Sequence, residues 1–153
     1  MHKERLLDRY DDMIIAVLAE DGRLPVTEIA KRIGISKSPC QARLKRLIDE
    51  GYIIGFKAIF DPVKLGREHV AFTEVKLLDT RESALQAFNQ AVRHIPEIEQ
   101  CHMIAGAFDY LLKVRTSNIN DYRQVLGEFI STLPNVASTS TFVSMQSVKD
   151  TVV

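Results

Sequence analysis

The spacing of apolar residues changes near residue 60, and this change restricts the chain to folds built from two different parts. Before residue 60, apolar residues recur every three or four positions, as they do on one face of a helix; after it, alternating segments are mixed with helical ones. A length of 153 residues suits one domain or two small ones. We therefore expect an α+β protein with one domain over residues 1–60 and a second over residues 61–153.

The first part is predicted to contain three short helices. The first ends near Glu20, the second spans residues 25–34 and the third spans residues 36–50, where Pro25 and Ser36 are favourable starting residues. Only a short turn at Gly34 separates the second helix from the third, which predicts a winged-type helix-turn-helix. Residues 52–60 favour an extended linking segment.

The second part follows the order strand, helix, strand, strand, helix, strand. The predicted bounds are 69–78, 81–95, 98–105, 110–116, 119–133 and 136–146. This βαββαβ order predicts a ferredoxin-like domain, in which two helices cover one face of an antiparallel sheet. The other face would be bare in a monomer, so we expect a homo-oligomer, at least a dimer.

Composition and motifs exclude several classes of protein. The 20 basic and 20 acidic residues give a net charge of zero, which argues against a polycation that coats nucleic acid. The two cysteines, Cys40 and Cys101, form no C-x-x-C pair, which favours a reducing, cytoplasmic setting. The longest apolar run has seven residues, whereas a membrane-spanning helix needs about 20. Metal-ligand and nucleophile motifs are missing, so we expect no metal, no cofactor and no enzyme activity.

The segment from residue 31 to residue 46 carries six basic residues and no acidic one. On a helical wheel, the inward residues of the third helix are Cys40, Leu44 and Leu47. The outward residues are Ser38, Ala42, Lys45 and Arg46, with Lys37, Gln41 and Arg43 on the flanks. Such a face is usually just solvated, but the preceding helix and turn favour insertion into the major groove of DNA.

The residue types on this face suit double-stranded DNA. Lysine and arginine neutralise phosphates, whereas arginine and glutamine can also pair with the edges of guanine or adenine. The predicted DNA-contacting residues are Ser36, Lys37, Ser38, Gln41, Ala42, Arg43, Lys45 and Arg46.

A second candidate site is the loop between two predicted strands, formed by Gly106, Ala107, Phe108, Asp109 and Tyr110. An acidic residue beside aromatic residues could hold the amino group of a small ligand, while backbone N–H groups receive its carboxylate. An ordinary hairpin loop is the alternative. Thr141, on a polar strand, could add a hydroxyl group, although that strand could equally be an exposed or interfacial sheet face.

Six segments together resemble the Lrp/AsnC, or feast/famine, transcription regulators of bacteria and archaea. They are Asp21-Gly22-Arg23, Glu28-Ile29-Ala30, Gly34-Ile35-Ser36, Arg43-Leu44-Lys45-Arg46-Leu47, Gly51-Tyr52-Ile53-Ile54-Gly55 and Gly106-Ala107-Phe108-Asp109-Tyr110. The resemblance implies DNA binding by the first domain and amino-acid sensing by the second. It also implies dimers that commonly assemble into octamers.

The resemblance implies that the effector lies between neighbouring dimers, near the loop of residues 106–110. By position, Gly106 and Asp109 are the strongest effector-binding candidates, followed by Phe108 and Thr141. Ala107 stands where relatives often have a polar or acidic residue, so the ligand is not assigned. Effector binding would favour one oligomer or dimer orientation and so change how the recognition helices meet DNA.

Two other functions remain alternatives. One is a tetrapyrrole decarboxylase of the sirohaem type, because some haem-pathway decarboxylases resemble this fold. The other is a metabolic amino-acid sensor that acts on protein partners instead of DNA. An enzyme has no need for the basic face of the third helix, and the sequence lacks a clear histidine pair for catalysis, so we favour the DNA-binding regulator.

Overall fold

The structure is a computed structural model that describes residues 6–150. It divides into two compact units, Met1–Ile59 and Phe60–Val153, with the boundary one residue before the expected one. The outermost residues of the two expected domains, 1–5 and 151–153, lie outside the described range.

The first unit contains the three expected helices, α1 (Arg9–Glu20), α2 (Val26–Ile33) and α3 (Lys37–Asp49). Helix α1 starts at Asp8, whose carboxylate accepts hydrogen bonds from the backbone N–H groups of Tyr10 and Asp11. Helix α2 ends at Gly34, where a φ of 78° lets the chain turn towards α3. The helix-turn-helix prediction is therefore confirmed.

Apolar side chains from all three helices form the core of this unit. Its fully buried members are Ile14, Ile29, Cys40 and Leu47. Cys40 packs on the inner side of α3, as expected, and burial raises the pKa of its thiol. Ile48, the residue after Leu47, is exposed.

The predicted extended segment after α3 forms no strand in the structure. The N–H of Ile53 donates to the carbonyl of Leu47, and residues 54–60 continue without regular structure. The β-favouring residues of this segment have no neighbouring strand in the described part of the first unit. Ile54 and Ile59 are consequently exposed.

The second unit confirms the βαββαβ order. Its elements are β1 (His69–Leu77), α4 (Glu82–Val92), β2 (Ile98–Met103), β3 (Tyr110–Thr116), α5 (Ile119–Val125), a π-helical turn (Leu126–Ile130) and β4 (Val136–Val143). All neighbouring strands are antiparallel, in the order β2-β3-β1-β4. The helix predicted over residues 119–133 is thus an α-helix that continues as a π-turn, and β4 ends three residues early.

The two faces of this sheet differ in burial. On the helix-covered face, Val75, Tyr110 and Leu112 pack with Phe88 and Ile130 into a core. On the opposite face, Phe72 of β1 lies in register with Phe142 of β4, and these side chains are 37% and 54% exposed. The single chain therefore leaves apolar surface on the sheet face that was expected to be bare.

Part of that opposite face carries an ion-pair network. Lys113 and Arg115 of β3 are buried, and both bind the carboxylates of Glu99 and Asp150. Asp150 follows β4 and accepts a hydrogen bond of 2.6 Å from Lys113, which lowers the pKa of its carboxyl group. The last described residues are therefore fixed to the sheet.

No helix within residues 6–150 is long and apolar enough to cross a membrane.

Candidate DNA-binding and effector-binding sites

One face of α3 is open to solvent along its whole length. Ser38, Ala42 and Lys45 are exposed on it, as the helical wheel predicts, and the flanking residues Lys37 and Gln41 are exposed as well. Ser36 occupies the N-cap position and is also exposed, but its side chain makes no capping hydrogen bond. Its hydroxyl is therefore not committed to the helix end. Pro39 shares the exposure of this face and was not among the predicted contacts.

The prediction that Arg46 points outward is wrong. Its Nη2 lies 2.6 Å from Oδ2 of Asp11, and its Nη1 lies 3.2 Å from Oε2 of Glu50. Only 20% of the Arg46 side chain is exposed. A helical wheel of α3 cannot reveal this orientation, because the main attraction comes from a buried carboxylate on α1.

Arg43, which was placed on the flank of α3, also turns towards α1. Its Nη1 lies 2.8 and 2.7 Å from the two carboxylate oxygens of Asp8, and 2.9 Å from Oδ1 of Asp11. The guanidinium carbon lies 5.4 Å from the centre of the Tyr10 ring, within the range of a cation–π contact. Helices α1 and α3 are thus joined by two arginines and two aspartates.

Both aspartates are held in the ionised form. Burial by itself would raise the pKa of Asp11, but hydrogen bonds from the N–H of Asp8 and from Arg46 and Arg43 outweigh it and lower that pKa. The pKa of Asp8 is lowered mainly by its hydrogen bond from Arg43. Sequence reasoning missed both residues, since the capping pattern of Asp8 and Asp11 indicates a helix start and not a contact 32 to 35 residues away.

The positive charge of residues 31–46 is smaller in the folded unit than the sequence suggested. Besides Arg43 and Arg46, Arg32 pairs with Glu28 and Lys45 pairs with Asp49. Within the described residues, only Lys31 and Lys37 of the six cations have no ion pair. The Lys45–Asp49 pair is largely exposed and therefore weak, so Lys45 remains available for a phosphate.

The loop of residues 106–110 is anchored to β1 by Asp109. The N–H of Asp109 donates to the carbonyl of Val75, and its carboxylate accepts a hydrogen bond of 2.7 Å from the N–H of Leu77. Its carbonyl also accepts from the N–H of Ile104, which closes the loop. One carboxylate oxygen of Asp109 is therefore already hydrogen-bonded within the unit. Of the other loop residues, Ala107 is exposed and Phe108 is half-buried.

Gly106 is exposed, and the loop conformation does not require a glycine there. Its φ is not positive, unlike those of Gly34, Gly51 and Gly66. A Cβ atom placed on Gly106 would meet only Cγ2 of Ile104, at the ordinary contact distance of 3.6 Å. The missing side chain of Gly106 therefore leaves open surface on the loop.

The other two predicted effector residues make contacts inside the unit. Tyr110 is buried, and its hydroxyl donates to Oδ1 of Asn89 at 2.7 Å. The Thr141 hydroxyl lies 2.5 Å from that of Tyr122, which is also 2.9 Å from the hydroxyl of Thr73. In the sheet register, Thr139 rather than Thr141 lies opposite Val75, the residue that binds the loop.

A cavity of about 410 Å³ lies beside the loop, between α4 and β2. Its lining includes Tyr110 and Met103 at the loop ends, together with Asn89, Arg93 and Cys101. Burial raises the pKa of the Cys101 thiol to about 11, so the thiol is neutral at physiological pH. Asn89 and Arg93 were not predicted as site residues, because their helical pattern indicates only which face of α4 is buried.

Within residues 6–150, no group of three or more potential ligands is arranged to hold a metal ion.

Both units match models of known protein families. Residues 70–153 match the model of the Lrp/AsnC ligand binding domain, and residues 7–54 match a winged helix-turn-helix DNA-binding model.

Curated relatives match along nearly the whole chain. A proline dehydrogenase transcriptional activator from Rhizobium radiobacter is 65% identical over 98% of this chain and 96% of its own length. One with the same name from Rhodobacter capsulatus is 50% identical over 94% of this chain and 93% of its own. The leucine-responsive regulatory protein of Escherichia coli K12 is 41% identical over 94% and 87%.

Solved structures also superimpose over almost the full length. An AsnC family transcriptional regulator from Agrobacterium tumefaciens matches with a TM-score of 0.90 and 29% identity, covering 95% of this chain and 94% of its own. A regulator from Neisseria meningitidis in complex with L-Met has a TM-score of 0.88 and the same identity and coverage. None of these relatives is named as a decarboxylase or as a sensor that acts without DNA. The chain belongs to the Lrp/AsnC family and is a DNA-binding transcriptional regulator that responds to a small effector.

Proposed function

We propose that this protein activates transcription of a proline dehydrogenase gene and that its effector is an amino acid, with proline the first candidate. The observation that carries the proposal is the 65% identity, over 98% of the chain, to a protein named as an activator of that gene. The substrate of a catabolic enzyme is the chemical signal that its production is needed. On this view the protein acts in the cytoplasm, beside the DNA, and catalyses no reaction.

The exposed face of α3 is proposed to enter the major groove of double-stranded DNA. Gln41 is placed to read base edges, and the small Ala42 allows close approach. Ser36, Lys37, Ser38 and Lys45 are exposed, and we propose that they bind phosphates along the groove. Arg46 stays on Asp11 and fixes the orientation of α3, so we assign it a positioning role.

The effector is proposed to bind at the loop formed by Gly106, Ala107, Phe108 and Asp109. An amino acid presents both an ammonium and a carboxylate group, and the free oxygen of Asp109 suits the ammonium. The open surface at Gly106 allows a ligand or a neighbouring subunit to approach the backbone. Tyr110 and Thr141 are proposed to support the site from within the unit and to make no direct contact.

A homo-oligomer is proposed to connect the two sites. The exposed phenylalanines on the sheet face are suited to a second copy of the chain, and dimers would assemble further, to an octamer in the largest proposed form. An effector that binds one arrangement more tightly shifts the population towards it. DNA and effector must then change each other's affinity by the same factor.

The test is DNA binding to the upstream region of the proline dehydrogenase gene from the same genome. Fluorescence anisotropy is measured with no amino acid, with proline and with leucine or methionine. We expect specific binding that only proline alters, and loss of binding in Lys45→Glu. The matched control is Lys64→Glu, which makes the same charge change at an exposed position of the second unit.

Each part of the proposal has its own contrary result. Equal affinity for this region and for unrelated DNA would contradict the proposed target. A response to leucine or methionine but not to proline would keep the target and overturn the effector. Equal loss of binding in both lysine variants would contradict the DNA-contacting face.

A further inference from the structure

We propose that Arg43 binds a DNA phosphate. Without DNA, the carboxylate of Asp8 holds the place of that phosphate, and DNA displaces the carboxylate when it binds. The inference rests on the DNA binding proposed above. It adds that a carboxylate of the protein itself competes with a DNA phosphate for Arg43. Nη1 of Arg43 lies within 2.8 Å of both carboxylate oxygens of Asp8, which occupy the place that phosphate oxygens would take.

The two aspartates that hold Arg43 are not equivalent. Asp11 has a side chain only 2% exposed, and it also accepts hydrogen bonds from Arg46 at 2.6 Å and from the N–H of Asp8 at 3.1 Å. Asp8 has a side chain 52% exposed and binds no other cation within the described residues. Asp11 is therefore a fixed anchor, whereas Asp8 is the partner that another anion can replace.

Asp8 also has a second role that does not depend on Arg43. Its Oδ1 accepts hydrogen bonds from the N–H groups of Tyr10 and Asp11 at the start of α1. These bonds do not involve Arg43 and can remain when the contact between Asp8 and Arg43 breaks, so the exchange does not require α1 to unwind. The displaced carboxylate stays solvated, because half of its surface is already open.

The position of Arg43 suits an incoming phosphate. Its side chain is 29% exposed, and both Asp11 and the Tyr10 ring restrict its movement. A cavity of about 350 Å³ opens beside it and is lined by Pro39 and Ala42 of the exposed face of α3. A phosphate at the edge of the groove entered by α3 would therefore lie beside this guanidinium.

Competition follows from charge. A phosphate that binds Arg43 next to Asp8 would meet a like charge within a few ångströms, which disfavours both together. DNA must therefore displace the carboxylate, and any DNA that fails to do so gains nothing from Arg43. The arrangement weakens binding to every sequence that does not bring a phosphate close to this point.

The experiment compares Asp8→Asn with Asp12→Asn in the full chain. Asparagine keeps a capping oxygen at the start of α1, so Asp8→Asn removes the competing charge but not the cap. Asp12 is exposed and has no arginine partner in the described residues, so Asp12→Asn removes the same charge one turn away. DNA affinity is measured by anisotropy across a salt series, and thermal melting verifies folding.

We expect Asp8→Asn to bind DNA more tightly than Asp12→Asn at every salt concentration, because no carboxylate then has to leave Arg43 before a phosphate binds it. Adding Arg43→Gln to Asp8→Asn should remove that gain. If Asp8→Asn does not fold, Asp8→Ser, which also caps a helix, is compared in its place.

Two results would overturn the proposal. Equal affinities of the two asparagine variants would show a general effect of charge, and a gain that persists with Arg43→Gln would exclude Arg43 as its source. Failure of the wild-type protein to bind any DNA would instead overturn the proposed function, so the two failures are distinguishable.

Discussion

Asp11 is the residue on which the orientation of the recognition helix depends. It is buried, and it accepts hydrogen bonds from both arginines of α3. When one group of a buried ion pair is removed, the remaining charge is buried without a partner, and this destabilises the fold. The contact therefore links the stability of the helical unit to the geometry of its proposed DNA-binding face.

Replacement of Asp11 by asparagine should lower the free energy of unfolding by about 2 kcal/mol, because the carboxylate charge is lost and the amide NH2 cannot accept the hydrogen bond of one of the two arginines. Urea denaturation followed by circular dichroism measures the change. Asp12→Asn is the matched control and should alter stability little, since its side chain is exposed. Equal stability of the two variants would show that Asp11 contributes no more than a surface carboxylate.

Acid should destabilise the helical unit through the same residue. The pKa of Asp11 is lowered in the folded protein, whereas an unfolded aspartate has a pKa of about 3.9. Its contribution is therefore complete above that unfolded value and is lost as the pH falls through the folded pKa. Thermal melts from neutral to acid pH should show less acid destabilisation in Asp11→Asn than in wild type; identical profiles would contradict this assignment.

At the scale of single residues, the sequence predicted the chemistry of the side chains better than the direction in which each side chain points. It correctly placed Cys40 inside, and Ser38, Ala42 and Lys45 outside. It placed Arg46 outside because a helical wheel contains only local information, whereas the Asp11 contact spans 35 residues. Long-range ion pairs of this kind leave no periodic signal in one sequence.

At the scale of elements, apolar periodicity predicted the helices and the order of the strands, and the ends were less accurate. Glycines and good N-caps mark helix boundaries, so the limits of α2 and α3 differ from prediction by only one or two residues. The π-turn after α5 was missed, since its residues keep helical spacing. The segment after α3 was expected to be extended, but a β-favouring composition does not supply a partner strand.

The loop before β3 yields a prediction that separates ligand binding from folding. Gly106→Ala should fold as stably as wild type, because its φ is not positive and a Cβ has room. The same methyl group would occupy the open surface of the loop and should reduce the effect of the amino acid on DNA binding. Anisotropy with and without proline measures this response.

Asp109→Ala is the informative comparison for that variant. It removes the carboxylate that receives the Leu77 N–H, so it should weaken the fold as well as the effector response. A normal effector response in Gly106→Ala would place the ligand elsewhere, and the cavity between α4 and β2 would then be the next candidate.

At the scale of the whole molecule, zero net charge and a DNA-binding function are compatible because charge is distributed unevenly. Most cations around α3 are paired within the helical unit, so a single unit is expected to bind DNA weakly. Several recognition helices in one oligomer would raise the effective concentration of each contact. We therefore propose that assembly through the exposed sheet face contributes to DNA recognition.

Phe142→Asp should therefore weaken both assembly and DNA binding. Phe142 is 54% exposed and in register with Phe72, so a carboxylate there disturbs an apolar interface more than it disturbs the core of one chain. We expect light scattering to show a smaller species and DNA affinity to fall by roughly 10²-fold, the lower end of typical gains from multivalency. Phe129→Asp is the matched control, because Phe129 is similarly exposed but lies on the π-turn, away from the sheet face. Normal assembly in Phe142→Asp, or an equal loss in Phe129→Asp, would show that the sheet face is not where copies of the chain meet.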